Sequence, residues 1–485
     1  MKMTRSIWLL ARCGGPRTAW QTPLRSSVPL FLRGPNSTQL NSSSMAERIE
    51  EGGETAAKRA KLCPTGAGVG EEGEGEDRLS ALPDDILLHI LNSLGNAEAA
   101  ARTSVLSRRW RRLWALLPVL HFFFRARHDK VPAALTALDA AHAALDAAHT
   151  DGEATPPLRR LGVIVSRSSA ESLQAWLPIA ARRLAGDLTL IELNNEEEGD
   201  EPPCGGGAFE LPCFEKATQI WLDLVRGFHS LAMPPSGVFV RLTDFHLDGA
   251  QLHGPCALGE AVSSPRCPSL QRLTVSSVGG LGNLAIHSAS LLEIELSGSE
   301  LQQLTVAAPA LEKLTVLHCF DGVSEPVADI SAPQLASLTW RDAYDPMSVQ
   351  FGEMSNLQWL GTSFFLVYGH PGFERNRDSA RLLRHFEAVH TLSLLLAHMW
   401  MSIEDMHDPD YLMEEMTRLP DIRFLTLILL TTGHSFGASS FHVFRMCTGI
   451  KKLMLTFKSR KECEVATACA SGCICDQPTN WKTED

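Results

Sequence analysis

Between Leu79 and Leu117 the apolar positions recur at helical spacing. Ile86, Ile90 and Leu94 fall at i, i+4 and i+8 with Leu87 and Leu91 beside them, a stripe that predicts an amphipathic helix. Ser80 suits a cap, Pro83 a first turn where its missing N–H costs little, Asp84 and Asp85 the positive helix end, and Gly95 the stop. Asn96 opens a second helix that runs through Ala99, Ala100 and Ala101 to Val105 and Leu106. Ser107 opens a third, in which Trp110, Leu113, Trp114 and Leu117 share a face before Pro118 ends it. Three short helices bury little area by themselves, so the unit needs a partner.

Farther along the period changes. An Ala-rich stretch from Val131 to His149 reads as helix, and then an apolar-x-x-apolar-x-apolar pattern sets in. It occurs at Leu270/Leu273/Val275, Leu291/Ile294/Leu296, Leu311/Leu314/Val316 and Leu335/Leu338/Trp340, with offsets of 21, 20 and 24 residues. That is leucine-rich-repeat spacing, in which each turn gives a short strand and a return segment and only stacked turns enclose a core. Looser copies follow at Val389/Leu392/Leu394, Ile422/Leu425/Leu427 and Ile450/Leu453/Leu455, and an earlier one lies at Ile220/Leu222. Leu301/Leu304/Val306 sits ten residues off register and fits a return segment. The copies lack a regular Asn position, which predicts an open, irregular solenoid.

The run Leu79-Ser-Ala-Leu82-Pro83-Asp-Asp-Ile86-Leu87-Leu-His-Ile90-Leu91, followed by Val105-Leu106-Ser107-Arg108-Arg109-Trp110, resembles the F-box in the form common in plants. The resemblance covers Asp77 to Leu120. It implies that Leu82, Pro83, Ile86, Leu87, Ile90 and Leu91, with Val105, Leu106 and Trp110, dock a Skp-type adaptor and through it a cullin-RING ligase. Read from the residues alone, Ile86, Ile90, Val105 and Trp110 serve equally as internal core. Pro268–Val275 and the following Ala285–Leu292 are similar to the variable repeats of grass F-box proteins. Cys469 to Trp481 resembles the loop before a further sheet segment in those proteins, which implies a shortened last domain.

Composition narrows the function. The 485 residues carry 44 Lys plus Arg against 56 Asp plus Glu, a net −12, which argues against general nucleic-acid binding. Arg108, Arg109, Arg111 and Arg112 fan around the tryptophans and read as a solvated or adaptor-facing rim. No apolar run reaches the roughly 18 residues that cross a bilayer. The 12 cysteines mostly stand alone and read as reduced thiols of nucleus or cytoplasm.

The chain divides into six segments. Residues 1–44 hold six basic groups and no acid, which reads either as an organelle transit peptide or as a superfluous extension ahead of translation from Met45. In the second case the sequons at Asn36 and Asn41 are meaningless. Residues 45–76 are acidic and Gly-rich, with the basic cluster Lys58-Arg59-Ala60-Lys61, and read as disordered; the cluster reads either as a nuclear-import signal or as a solvated tail. Gly68, Gly70 and Gly73 match a phosphate-binding spacing, but no strand precedes them and Glu71, Glu72 and Glu74 would repel a phosphate. The F-box follows at 77–120, a helical and strand connector at 121–208, the solenoid at 209–460 and a Cys-containing tail at 461–485. The fold class is α+β, a three-helix F-box followed by an irregular leucine-rich-repeat α/β solenoid.

Three candidate chemistries lack the residues they need. Asp139, His142, Asp146 and His149 share one helix face within about 80° but lack a second shell, so they read as an exposed polar face rather than a metal site. Cys463, Cys469, Cys473 and Cys475 lack two-plus-two spacing and read as free thiols. Gly433-His434-Ser435-Phe436-Gly437 matches a nucleophile elbow after the strand-like run Ile422–Leu430. Only His442 lies beyond Ser435, inside the helix the elbow would launch, so no triad assembles. No cofactor, metal or catalytic residue is expected. The expected function is the substrate-recognition subunit of an SCF-type (Skp, cullin, F-box) ubiquitin ligase; the alternative is a non-ligase repeat scaffold with a degenerate F-box.

Overall fold

In the computed structural model, residues 81–458 are described apart from 125–129, 149–155, 167, 194–206, 226–228, 255, 324, 399–409 and 432–433, together with Cys475. The chain divides into two units, Met1–Leu82 and Pro83–Asp485, and the helices and sheets belong to the second.

The predicted helices form as α1 (Asp84–Ser93), α2 (Ala97–Arg102) and α3 (Arg108–Leu113), with 3-10 turns at Thr103–Val105 and Trp114–Leu116. Asn96 caps α2, its side chain accepting the Glu98 N–H at 2.8 Å. Ser107 stands at the N-cap of α3 without a side-chain bond. Pro83 occupies the N-cap of α1 in an extended conformation rather than the first turn. Ser80 lies outside the described residues. Gly95 ends α1 with φ +66°, the left-handed conformation that favours glycine.

A single parallel sheet of 13 strands then runs through the second unit. It opens with β1 (Val119–Phe124), β2 (Leu158–Val165) and β3 (Leu184–Glu192). Next come β4 (Ala208–Glu210), β5 (Gln219–Asp223), β6 (Ser230–Ala232), β7 (Asp244–Asp248) and β8 (Gln251–His253). The regular repeats give β9 (Arg272–Ser276), β10 (Gly282–His287), β11 (Glu293–Ser297), β12 (Leu301–Ala307), β13 (Lys313–Leu317), β14 (Val327–Ser331), β15 (Ser337–Arg341) and β16 (Val349–Phe351). The last are β17 (Trp359–Leu366), β18 (Tyr368–Gly369), β19 (Ala388–Ala397), β20 (Asp410–Tyr411), β21 (Asp421–Leu430) and β22 (Lys452–Lys458). The long sheet takes β1, β2, the odd-numbered strands from β3 to β21, and β22. Two smaller parallel sheets, β4-β6-β8 and β10-β12-β14-β16, carry the chain back on the other side of the core.

All three predicted apolar positions of each regular repeat are shut inside: Leu270, Leu273 and Val275; Leu291, Ile294 and Leu296; Leu311, Leu314 and Val316; Leu335, Leu338 and Trp340. The off-register Leu301/Leu304/Val306 is a return strand, β12. Helices replace strands in the return path near both ends: α5 (Ala170–Arg183) between β2 and β3, α7 (Glu374–His385) between β17 and β19, and α8 (Gly437–Met446) between β21 and β22. Two further helices, α4 (Val131–Ala148) and α6 (Leu258–Val262), complete the set. The turn out of successive inner strands reuses one device. Gly249, Ser277, Gly298 and His318 each follow a strand directly, and all four have positive φ, between 53° and 81°. A stacked left-handed corner thus stands where the regular Asn position is missing.

Two expectations need correction. The solenoid sheet begins at β1, so the 121–208 connector is part of it. The long helices α4 and α5 interrupt the short period there, and the repeat is invisible to a count of spacings. The polar face of α4 is exposed only in part, at Asp146. His142 is buried and donates from Nε2 to the Ala115 carbonyl at 2.5 Å. Asp139 accepts from Arg183 Nε at 2.7 Å and Arg182 at 3.0 Å, and Arg183 lies 3.5 Å from Asp146. The arginines come from α5, more than 40 residues on, and no local spacing announces them. His149 lies outside the described residues.

Candidate adaptor-binding site

The aliphatic stripe of α1 splits between two environments. Leu87 and Leu91 turn inward and are buried, as is Trp110 on α3. Ile86, Ile90 and Leu94 turn outward and are 44 %, 37 % and 45 % exposed, joined by Val105 at 80 % and Leu106 at 61 % in the turn after α2. Single exposed aliphatics are ordinary, but five on one small helical module form a patch of the kind that marks a protein interface. Pro83 is exposed at the start of the same helix. Leu82 closes the first unit.

The inward residues hold the module in shape. Arg109 on α3 bonds Asp84 at the head of α1, with its Nε at 2.6 Å from Oδ1. Arg111 Nε donates to the Ser104 carbonyl at 3.3 Å, and Arg108 and Arg112 point to solvent. The predicted docking set thus divides by role. Pro83, Ile86, Ile90, Val105 and Leu106 present surface, whereas Leu87, Leu91 and Trp110 are buried. Leu94, two turns beyond Ile86, belongs to the exposed set; the i+8 spacing carried that signal.

The second surface is the open face of the long sheet. Along one row, side chains of adjacent strands pair as Arg160–Asp187 (3.3 Å), Arg272–Asp244 and Lys313–Glu293. In the next row Trp221 and His246 stack with ring centroids 3.6 Å apart and planes 10° from parallel. Burial lowers His246 to a pKa of about 4, so its imidazole is neutral at pH 7. Two strands farther on, burial pushes the Glu295 carboxyl up, against the pull of Lys313.

The elbow-like motif lies between β21 and α8, and two histidines near it serve elsewhere. His442 donates from Nε2 to the Met416 carbonyl at 3.2 Å, and His398 meets Ser439, not Ser435, at 3.1 Å. Gly433 lies outside the described residues, as do Cys463, Cys469 and Cys473. Cys475 is buried, and its carbonyl accepts from the Tyr368 hydroxyl at 3.4 Å. Among the described residues no cluster of His, Cys, Asp or Glu is arranged to hold a metal ion. No helix among them is long and apolar enough to cross a membrane.

Two segments of the chain match known family models. The F-box domain model matches residues 79–122, and a model described as "FBD-associated F-box protein At5g56370, LRR repeats" matches residues 173–355. The chain thus carries an F-box segment and a leucine-rich-repeat segment like those of plant F-box/LRR-repeat proteins. Among its relatives, the Arabidopsis thaliana F-box/FBD/LRR-repeat protein At4g03220 is 30 % identical over 303 residues, 61 % of this chain and 57 % of its own. The F-box/LRR-repeat protein At2g42720 of the same plant is 27 % identical over 205 residues, 41 % of this chain and 43 % of its own. The F-box/FBD/LRR-repeat protein At2g04230, also from that plant, reaches 62 % over 47 residues, 10 % of each chain. The chain spans about half the length of the first two relatives.

Proposed function

We propose that this chain is the substrate-recognition subunit of an SCF-type ubiquitin ligase in the nucleus or cytoplasm. Its F-box plugs into a Skp-type adaptor, and the open face of the long sheet holds a protein target. The observation that carries the reading is the outward set Ile86, Ile90, Leu94, Val105 and Leu106 on a module whose inner face is already filled. Such a subunit needs no nucleophile of its own, because it accelerates ubiquitin transfer by proximity and orientation.

The test is co-precipitation from plant cells of tagged full-length chain, wild type against an Ile86→Asp/Ile90→Asp double variant, probed for adaptor and cullin. The ligase reading expects both proteins with the wild type and neither with the variant. A scaffold working outside a ligase would bring down no cullin in either form.

A further inference from the structure

The two ends of the long sheet differ. At one end β1 keeps its inward residues Leu120 and Phe122 buried, where the F-box helix α2 lies against the strand. At the other end β22 pairs with β21 in register, Leu453 with Leu425, Leu455 with Leu427 and Phe457 with Leu429. The three residues on β21 are buried, as their counterparts on the regular repeats are, yet Leu453, Leu455 and Phe457 are 44 %, 39 % and 54 % exposed. Phe436, at the head of α8, meets the Phe457 ring edge-on with 5.0 Å between centroids and is exposed too. A stack of repeats that ends on open core positions leaves apolar area for another surface to cover.

The edge of β22 is open as well as its face. Among the described residues no strand follows it in the sheet. The Lys451 N–H donates back to the Arg423 carbonyl of β21 at 2.8 Å. Bonding direction alternates along a parallel ladder, so the N–H groups of Lys452, Met454 and Thr456 point to the free edge. Lys452 and Lys458 stand at the two ends of the strand, alternate with its inward residues and so leave on the open face. Among the described residues no carboxylate pairs with either ammonium.

We infer that β22 takes one added strand from another polypeptide, an extended segment in which an acid at each end brackets three alternating apolar residues. The acids of such a segment meet Lys452 and Lys458 on the open face, and its apolar residues continue the layer of Leu453, Leu455 and Phe457. The pattern, acid-apolar-x-apolar-x-apolar-acid, reads alike in both directions and suits a parallel or an antiparallel strand. A second copy of β22 is a poor occupant. Antiparallel pairing along its whole length sets each Lys452 opposite a Lys458, and like charges directly opposite destabilise a sheet.

The test uses the full chain and two fluorescein-labelled peptides, Glu-Ile-Thr-Val-Thr-Ile-Glu and Lys-Ile-Thr-Val-Thr-Ile-Lys, with amide exchange to locate the contact. The expected result is a saturable anisotropy change with the acid-ended peptide, about 10-fold or more tighter than with the lysine-ended one. Exchange at Met454 and Thr456 should slow when it binds. Lys452→Glu/Lys458→Glu should swap the two preferences at an unchanged melting temperature, an outcome that damage to the fold does not produce. No saturable binding up to about 1 mM peptide, or equal affinity for the two peptides, overturns the strand addition. Slowed exchange confined to other strands overturns the site. A wild-type chain that sediments as a dimer, with the β22 amides protected in the dimer, gives the edge to a second copy and overturns the proposed partner.

Discussion

A Cβ added at Gly259 would lie 2.2 Å from the carbonyl oxygen of Ala285, because α6 lies directly against the backbone of β10. Backbone cannot move aside as a flexible side chain can. Gly259→Ala is therefore expected to cost about 1–3 kcal/mol, the range for an overfilled interior. Amide exchange along β10, measured in variant and wild type, should quicken at Leu284 to His287; unchanged exchange would mean the contact is not tight. His246 and His398 set an acid limit at the same scale. Burial lowers each to about 4, so the unfolded chain takes up protons first as the pH falls. Stability is then full above about 6.5, the unfolded histidine value, and declines down to about 4. Thermal melts should show that decline, and His246→Phe, which keeps a ring against Trp221, should flatten it. An unaltered pH profile in the variant would remove His246 from the account.

At the scale of elements, α1 has two apolar faces, one packed inside and one exposed. Replacing Leu87 with Ala should lower the stability of the module by about 2–5 kcal/mol through a cavity, while Ile86→Asp should leave the melting temperature nearly unchanged. Chemical unfolding of the two variants checks the division, and similar losses for both would contradict it. The spacing of Ile86, Leu87, Ile90 and Leu91 located this helix but could not divide it. A helix stripe wide enough for core and partner together looks like one stripe until a neighbour, here Trp110, covers part of it. The same limit applied to α4. His142, Asp139 and Asp146 looked like a solvated face because Ala115, Arg182 and Arg183, which satisfy them, are remote in sequence.

For the whole molecule, the regular repeats were legible because each places three buried residues at fixed offsets, as Leu270/Leu273/Val275 and Leu291/Ile294/Leu296 do. The start of the sheet was not legible, since β1, β2 and β3 are separated by helices, and a period needs equal returns to be seen. The open face of the long sheet was less legible still. The Trp221–His246 stack arises only when β5 and β7 are laid side by side. At this scale the F-box helices and the sheet belong to one unit, joined in part through the bond from His142 to Ala115. His142→Leu should weaken that join by about 1–3 kcal/mol, the cost of leaving a buried carbonyl unmet. Amide exchange in the turn Trp114–Leu116 should then quicken, and equal exchange rates would place the join elsewhere.

The most direct measurement is calorimetric titration of the purified full-length chain with a purified plant Skp-type adaptor. One-to-one binding is predicted, with the Ile86→Asp/Ile90→Asp variant weakened roughly 100-fold or more, about 3 kcal/mol, at an unchanged melting temperature. A wild-type chain with no affinity for the adaptor, or a double variant that binds as tightly as wild type, would contradict the account.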